Sequence, residues 1–403
     1  MSVKYREALE LLADRACTAG TEEVDLKESF GRILATDITA KEDVPSFERS
    51  PYDGYAFRAE DTKDATEKYP VTLKVIENIR AGQAPARKVT SGTAIRLMTG
   101  APVPEGADAV CKYEDTDFTD EYVTLRQSFR PGQNIVRAGE DIKRSAPVAN
   151  SGFPVDAGMA GVLASLGQRS VTVYKIPVAG IITTGDEITE EEGDLPFGKI
   201  RNSNRYSIAA ALEHIGMKAV YLGHAKDEID SICDLIKKGE QSCDVIISTG
   251  GVSVGDYDLV PDAMEKSGYD IIVRGVAMKP GMACAYGVKD GRLMLGLSGN
   301  PASALTNLQC VCYPALRKIM GHRSFDHSIA HFKLAEDVQK AGGGAERFAR
   351  GHSRFCDGEL CLDVPGAQGN IVISSAVGCD AYGILTGMSA PVKKGTIVSG
   401  FFV

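Results

Sequence analysis

Five carboxylates follow apolar, strand-like runs in this chain: Asp186 with Glu187, Asp227, and Asp256 with Asp258. Hard oxygen ligands of this kind suit Mg²⁺ bridging phosphate oxygens. Most of them travel with small residues, Thr184-Gly185 before the first pair and Thr249-Gly250-Gly251, Ser253 and Gly255 before the last. Glycine lets backbone approach a ligand closely. A strand that feeds a glycine loop and then a helix can hold an anion on backbone N–H groups. Lys279-Pro280-Gly281 adds a cation on a rigid turn, suited to neutralising a phosphate or an oxyanion. Taken singly, each of these loops is a turn with solvated aspartates. The loop at 248–258 is not a Walker loop, since no Gly-Lys-Ser/Thr follows, and it lacks Gly-x-Gly-x-x-Gly spacing. No Cys/His zinc spacing occurs, and six scattered histidines offer no triad. The residues alone point to an α/β enzyme acting on a phosphorylated or anionic ligand, with Mg²⁺ as the fitting metal.

The elements that must position these residues follow from periodicity. Val245-Ile246-Ile247 is too short and β-branched for a helix and predicts a buried strand. Pro177–Thr183, Lys218–Leu222 and Leu293–Leu297 predict further strands. Ile208, Leu212 and Ile215 recur at helical spacing after the capping Asn202-Ser203-Asn204, as do Ile229, Ile232 and Ile236. After Ser298-Gly299, Asn300 is a cap and Pro301 a first helical residue, for a helix running to Gly321. Strands alternating with helices over 176–321 predict a doubly wound α/β domain, whose ligands sit at the carboxyl ends of the strands. Short strands between Gly/Pro turns predict a β-rich domain over 46–140, entered by a loop from Pro45 to Phe57. Residues 1–45 with 141–175 predict a small helical linker domain, with helices over 4–17 and 157–166. Residues 322–403 predict a small all-β domain of barrel type.

Composition limits the function classes. A chain of 403 residues is expected to hold several domains. A net charge of −9 argues against a nucleic-acid backbone binder. No apolar run approaches the roughly 20 residues of a membrane span, and the start has no signal-peptide core, so no membrane partner is expected. Ten dispersed cysteines without a Cys-x-x-Cys pair predict reduced, mostly buried thiols and a cytoplasmic location.

Several short motifs occur in a set order: Arg49-Ser-Pro-Tyr-Asp-Gly-Tyr-Ala56, Arg96-Leu-Met-Thr-Gly-Ala101, Gly139-Glu-Asp-Ile142, Thr184-Gly-Asp-Glu187, Ser203-Asn204, Thr249-Gly-Gly-Val-Ser-Val-Gly-Asp256, Met278-Lys-Pro-Gly281 and Gly296-Leu-Ser-Gly-Asn-Pro301. Each is weak alone, but together and in order the chain resembles the MoeA family, molybdopterin molybdenumtransferases related to the gephyrin E domain. The resemblance implies a MoaB/MogA-like α/β domain and a homodimer. It implies insertion of molybdate into adenylylated molybdopterin, with pyrophosphate cleavage, release of AMP and help from Mg²⁺. By matching motifs, Asp53, Thr99, Glu187, Asp227, Asp258 and Lys279 would be catalytic, with Asp53 and Thr99 reaching across the dimer. Thr184, Gly185, Ser203, Thr249, Gly250, Gly251, Ser253, Gly255, Pro280, Ser298, Gly299, Asn300 and Arg350 would bind substrate. Asp186, Glu187, Asp256 and Asp258 would hold the metal. Contact with the adenylyltransferase that makes the substrate is a further implication. The chain departs from the family where Met282 replaces a second lysine, Ser298 a proline and Asn370 a serine. A variant that handles tungstate, or a catalytically weak scaffold, are the alternatives.

Overall fold

The computed structural model describes residues 2–190, 193–253, 258–339, 345–388 and 390–403. The chain forms two compact units, one of Met1–Thr36, Ser151–Ala157 and Ser170–Val403, the other of Asp37–Asn150 and Gly158–Arg169.

At the centre of the first unit is a six-stranded sheet. Its order is Lys218–Ala225, Val178–Thr184, Val245–Thr249, Arg292–Leu297, Cys284–Lys289, Asp270–Arg274. The first four strands are parallel, Cys284–Lys289 runs antiparallel to both of its neighbours, and the edge strand Asp270–Arg274 points the same way as the first four. Val245–Thr249 is buried along its whole length, as a β-branched run between two parallel neighbours should be. One face packs under Tyr5–Arg15, Ser203–His214 and the helical run from Pro301 to Ile319. The other packs under Ile229–Glu240 and Val260–Lys266. The doubly wound expectation holds, with one antiparallel strand, next to the edge, that the pattern did not reveal.

The helix expected from 301 to 321 has a wider turn at its middle. Pro301–Asn307 and Tyr313–Ile319 are α-helical, and Leu308–Cys312 between them is a π turn. Pro314 brings no N–H to the ladder, which accounts for the wider turn beside it. Cys310 and Cys312 are both fully buried there, as packing residues.

The C-terminal region closes into a barrel. Glu346–Cys356 pairs with Glu359–Asp363, then come Ile329–Leu334, Ile397–Phe402 and Ala381–Ile384, which pairs back to the first strand. Its interior is apolar, with Phe332, Leu334, Leu362 and Val398 among the buried residues. Phe348, Tyr382 and Phe401 point the other way, into the α/β core beside Tyr5 and Met278.

The second unit is built on a six-stranded sheet ordered Ala109–Lys112, Gly54–Phe57, Thr93–Leu97, Val71–Ile79, Tyr122–Leu125, Asp117–Phe118. The expected loop at 45–57 therefore ends four residues early. Gly54–Phe57 is a strand buried on both faces, with Tyr55 and Phe57 in one apolar cluster and Ala56 in the other. Gly54 allows this because a Cβ there would sit 1.9 Å from the Cys111 carbonyl oxygen.

The predicted helical linker takes a different form. Tyr5–Arg15 packs on the α/β core. Thr21–Asp25 pairs with Ser170–Tyr174, and Ile38–Thr39 with Pro147–Ala149. Only Ala157–Ser165 is a second helix, ended by Gly167 at φ +69° as expected.

Candidate functional site

The strands Val178–Thr184, Val245–Thr249 and Arg292–Leu297 are parallel neighbours, so the loops after them leave the same edge of the sheet. Gly250 is where the three loops meet. Its N–H donates to the Leu297 carbonyl at 3.0 Å. A Cβ on it would lie 2.6 Å from both the carbonyl oxygen and Oγ1 of Thr184, and its φ is +99°. Gly299 packs against it, since a Cβ there would stand 3.4 Å from the Gly250 Cα. Gly251 has φ +60°, and its carbonyl accepts from the Val260 N–H at 3.0 Å, closing the loop that carries Ser253 and half-buried Asp258. Gly255 and Asp256 lie outside the described residues.

A cleft opens beside this meeting point, lined by Thr184, Glu187, Ser203, Asn204, Thr249 and Gly299 among others. Five of those six were expected from the sequence. Asn204 was quoted in a motif but not assigned a role. Its Nδ2 donates to the Gly299 carbonyl at 2.9 Å, tying helix Ser203–His214 to the third loop. Its Oδ1 is buried without a partner, as are Thr184 Oγ1 and Ser248 Oγ. Thr184 and Asn204 both line the cleft, and two orphaned oxygens there mark a place where a ligand or water completes the hydrogen bonding. Ser298 Oγ accepts from the Asn300 N–H at 3.2 Å, so serine holds this turn in its own way where the family has proline.

Asp186 and Asp227 clasp each other on the rim. The Asp186 N–H donates to Asp227 Oδ2 at 3.1 Å, and the Asp227 N–H to Asp186 Oδ1 at 3.4 Å. Lys199 also donates to the Asp186 carbonyl. Gly185 has φ +128°, and a Cβ would press within 2.6 Å of the Glu187 carboxylate. Behind this loop is a network that sequence reading missed. Asn202 Nδ2 donates to Thr183 Oγ1 at 3.0 Å and to Glu190 Oε1 at 2.9 Å, while Asn202 Oδ1 caps Arg205 N. Burial pushes the Glu190 carboxyl up, but the Tyr221 and Asn202 hydrogen bonds and Arg205 outweigh it, and the net shift is downward. Burial and Glu190 together push the Tyr221 phenol up to about 12. The Asn-Ser-Asn before a helical pattern was the available signal for this network.

Lys279 is exposed on a cis Lys279–Pro280 turn. Gly281 follows at φ +98°, packed against Ser303 and Asn307. Asn307 holds the turn, donating to the Gly281 carbonyl at 2.8 Å while it accepts from the Tyr286 hydroxyl at 2.5 Å. Arg350 is fully buried. It donates to Thr306 Oγ1 at 3.2 Å, Ser375 Oγ at 2.8 Å and the Gly369 carbonyl at 3.4 Å, all neutral groups. Its Nε has no partner, and burial lowers its pKa. The exposed Asn370 contributes its backbone carbonyl, which accepts from the Ser303 N–H at 3.1 Å. Met282 is exposed.

The second unit joins Asp53 and Thr99. Asp53 Oδ1 accepts from the Thr99 N–H at 2.6 Å and from Thr99 Oγ1 at 2.7 Å. Those two bonds, backbone first, hold the Asp53 carboxyl below the usual carboxylate range.

Among the described residues no three His, Cys, Asp or Glu side chains are grouped to hold a metal. None of the described helices is long and apolar enough to cross a membrane.

Comparison with known proteins gives two family matches. Residues 3–167 match the family described as MoeA N-terminal region (domain I and II), and residues 180–318 match the Probable molybdopterin binding domain. A molybdopterin molybdenumtransferase of Bacillus subtilis is 37% identical over 94% of this chain and 89% of its own length. The chain belongs to the MoeA family. Its members are the molybdopterin molybdenumtransferases, enzymes of molybdenum cofactor biosynthesis. The Staphylococcus epidermidis enzyme of that name is 33% identical over 98% of this chain and 94% of its own. A crystal structure of the molybdopterin biosynthesis MoeA protein from Pyrococcus horikoshii superposes over all of both chains, with a TM-score of 0.86 and 30% identity. The family's N-terminal match ends at residue 167 and its molybdopterin-binding match begins at 180, so the cleft at Gly250 falls in the latter.

Proposed function

We propose that this MoeA family member inserts molybdate into adenylylated molybdopterin, cleaving the pyrophosphate and releasing AMP. The observation that carries this reading is the meeting of three strand-end loops at Gly250, which leaves orphaned oxygens beside backbone made for close approach. Thr184, Gly185, Thr249, Gly250 and Gly251 would hold the phosphate-bearing part of the substrate, with Ser203, Ser253, Ser298, Gly299 and Asn300 around it. Lys279 and Pro280 would present the cation that meets the oxyanion. Arg350 supports an anionic partner too, because a buried guanidinium facing only neutral acceptors carries an uncompensated charge.

Mg²⁺ fits the donor chemistry. The carboxylates present are hard oxygen donors, and Mg²⁺ needs only one or two of them when phosphate supplies the rest. Asp186, Glu187 and Asp258, with Asp256, would hold it. When bound it would neutralise charge on the leaving phosphate. Asp227 would keep Asp186 in place, and Asp53 with Thr99 would act from the second unit of a homodimer partner.

The test is AMP release from adenylylated molybdopterin by purified protein with Mg²⁺, titrating molybdate against tungstate. Release that depends on molybdate supports the reading. Preference for tungstate would assign the oxyanion choice to Met282 and Asn370. Tight binding with no release under either oxyanion would refute it in favour of a scaffold.

A further inference from the structure

The C-terminal barrel contains a second cavity, of about 230 Å³, that the proposed reaction does not use. Lys333, Arg354, Cys356, Glu359, Cys361 and Lys394 line it, among others. Both thiols come from one hairpin, formed by Glu346–Cys356 and Glu359–Asp363. The two turn residues, Asp357 and Gly358, have φ of +51° and +82°, the sign that a tight two-residue hairpin turn requires. That turn fixes the register: Cys356 stands opposite Glu359, and Arg354 opposite Cys361. Residues two apart on a strand share a face. All four side chains therefore project to the same side, with the two thiols on a diagonal. The thiols feel each other, because the Cys356 thiol, and burial after it, push the Cys361 thiol up. Cys356 is half-buried and Cys361 buried, so the first is the accessible member.

Cations line the cavity and can meet an anionic disulfide. Lys333 is paired with Glu359 and Arg354 with Asp363. Lys394 uses its backbone N–H toward Asp337, and its ammonium has no ion pair among the described residues. By contrast Cys284, Cys310 and Cys312 are sealed in the α/β core.

We propose that Cys356 and Cys361 are a reversible dithiol–disulfide pair, oxidised by a small anionic disulfide of the peptide type that enters this cavity. The Cys356 thiolate attacks one sulfur of that disulfide, breaking its S–S bond and releasing one thiol. The Cys361 thiolate then attacks the Cys356 sulfur of the mixed disulfide and releases the second thiol. Two protein thiols are oxidised, one small disulfide is reduced to two thiols, and the two protons pass to the released thiols. Exchange of this kind begins at the accessible thiolate.

Oxidised glutathione is the probe. The full-length protein is incubated with it, alkylated with iodoacetamide, digested and mapped by mass spectrometry. The expected result is that Cys356 and Cys361 both close to alkylation, with loss of two hydrogens and no added glutathione, and that dithiothreitol reopens them. Cys361→Ser should stop at glutathione on Cys356, and Cys356→Ser should slow closure of Cys361 by about tenfold or more. The proposal is overturned if both thiols stay open in the wild-type protein, or if it stops at the Cys356 adduct. Equal closure of Cys361 in Cys356→Ser overturns it as well. None of these readouts involves molybdopterin, so failure here leaves the transferase reading untouched.

Discussion

Gly250 has no room for a side chain. Gly250→Ala would drive a methyl to 2.6 Å from the Thr184 carbonyl and hydroxyl oxygens. The backbone conformation alone should cost roughly 1–3 kcal/mol, measurable by urea unfolding, and Thr184 must move as well. AMP release should fall more than stability does. Asp258→Asn should have the opposite signature, with near-normal unfolding and ligand binding but lost turnover; unchanged turnover would remove Asp258 from the mechanism. Asp53 makes a prediction in pH. Thr99 lowers its pKa through a backbone N–H and a hydroxyl, so the carboxylate persists to lower pH than an ordinary one. A depressed carboxyl favours the folded form above the unfolded pKa and loses that effect as pH falls through the folded pKa. Thr99→Val removes only the hydroxyl bond. The Asp53 pKa should therefore rise, and the acid limb of kcat/KM should move to higher pH. Asp53 is exposed, so NMR titration of its carboxyl is the direct check rather than stability.

Loops that follow β-branched strands were legible because burial on both faces writes a continuous apolar run, as in Val245–Thr249. The antiparallel strand Cys284–Lys289 and the edge strand Asp270–Arg274 left no comparable mark. Neither did the strand Gly54–Phe57, whose Asp-Gly start reads as a turn. The π turn at Leu308–Cys312 was hidden because helical spacing on either side of it is regular. Asn307 was missed for a related reason. It lies in a helix, but it works on a distant turn by holding the Gly281 carbonyl and the Tyr286 hydroxyl. Asn307→Leu keeps the branched outline of the side chain and strands both groups in the interior, at about 1–3 kcal/mol each. Urea unfolding should show that loss, and kcat/KM should fall with it because the Lys279 turn loses its anchor. Asn307→Asp should recover the Tyr286 bond but not the Gly281 bond.

For the molecule as a whole, motif order gave the family, while subunit arrangement left no trace in periodicity. The proposed homodimer, with Asp53 acting across it, has a sharp consequence. Asp53→Asn and Asp258→Asn should each be inactive alone. Reassorting their subunits should restore about a quarter of wild-type AMP release, since half of the dimers then hold one intact site. No recovery after verified subunit exchange would place both residues in the same subunit's site, or leave one of them outside it. The closed barrel bears on the order in which a ribosome delivers the parts. Its ring is completed by Ile397–Phe402, which hydrogen-bonds to Ile329–Leu334 on one side and to Ala381–Ile384 on the other. Arg350 belongs to that ring, so its guanidinium cannot settle against Thr306 in a closed barrel until this late strand has been translated. The nascent α/β domain can thus have its cleft before it has its buried cation, which waits on the strand Ile397–Phe402.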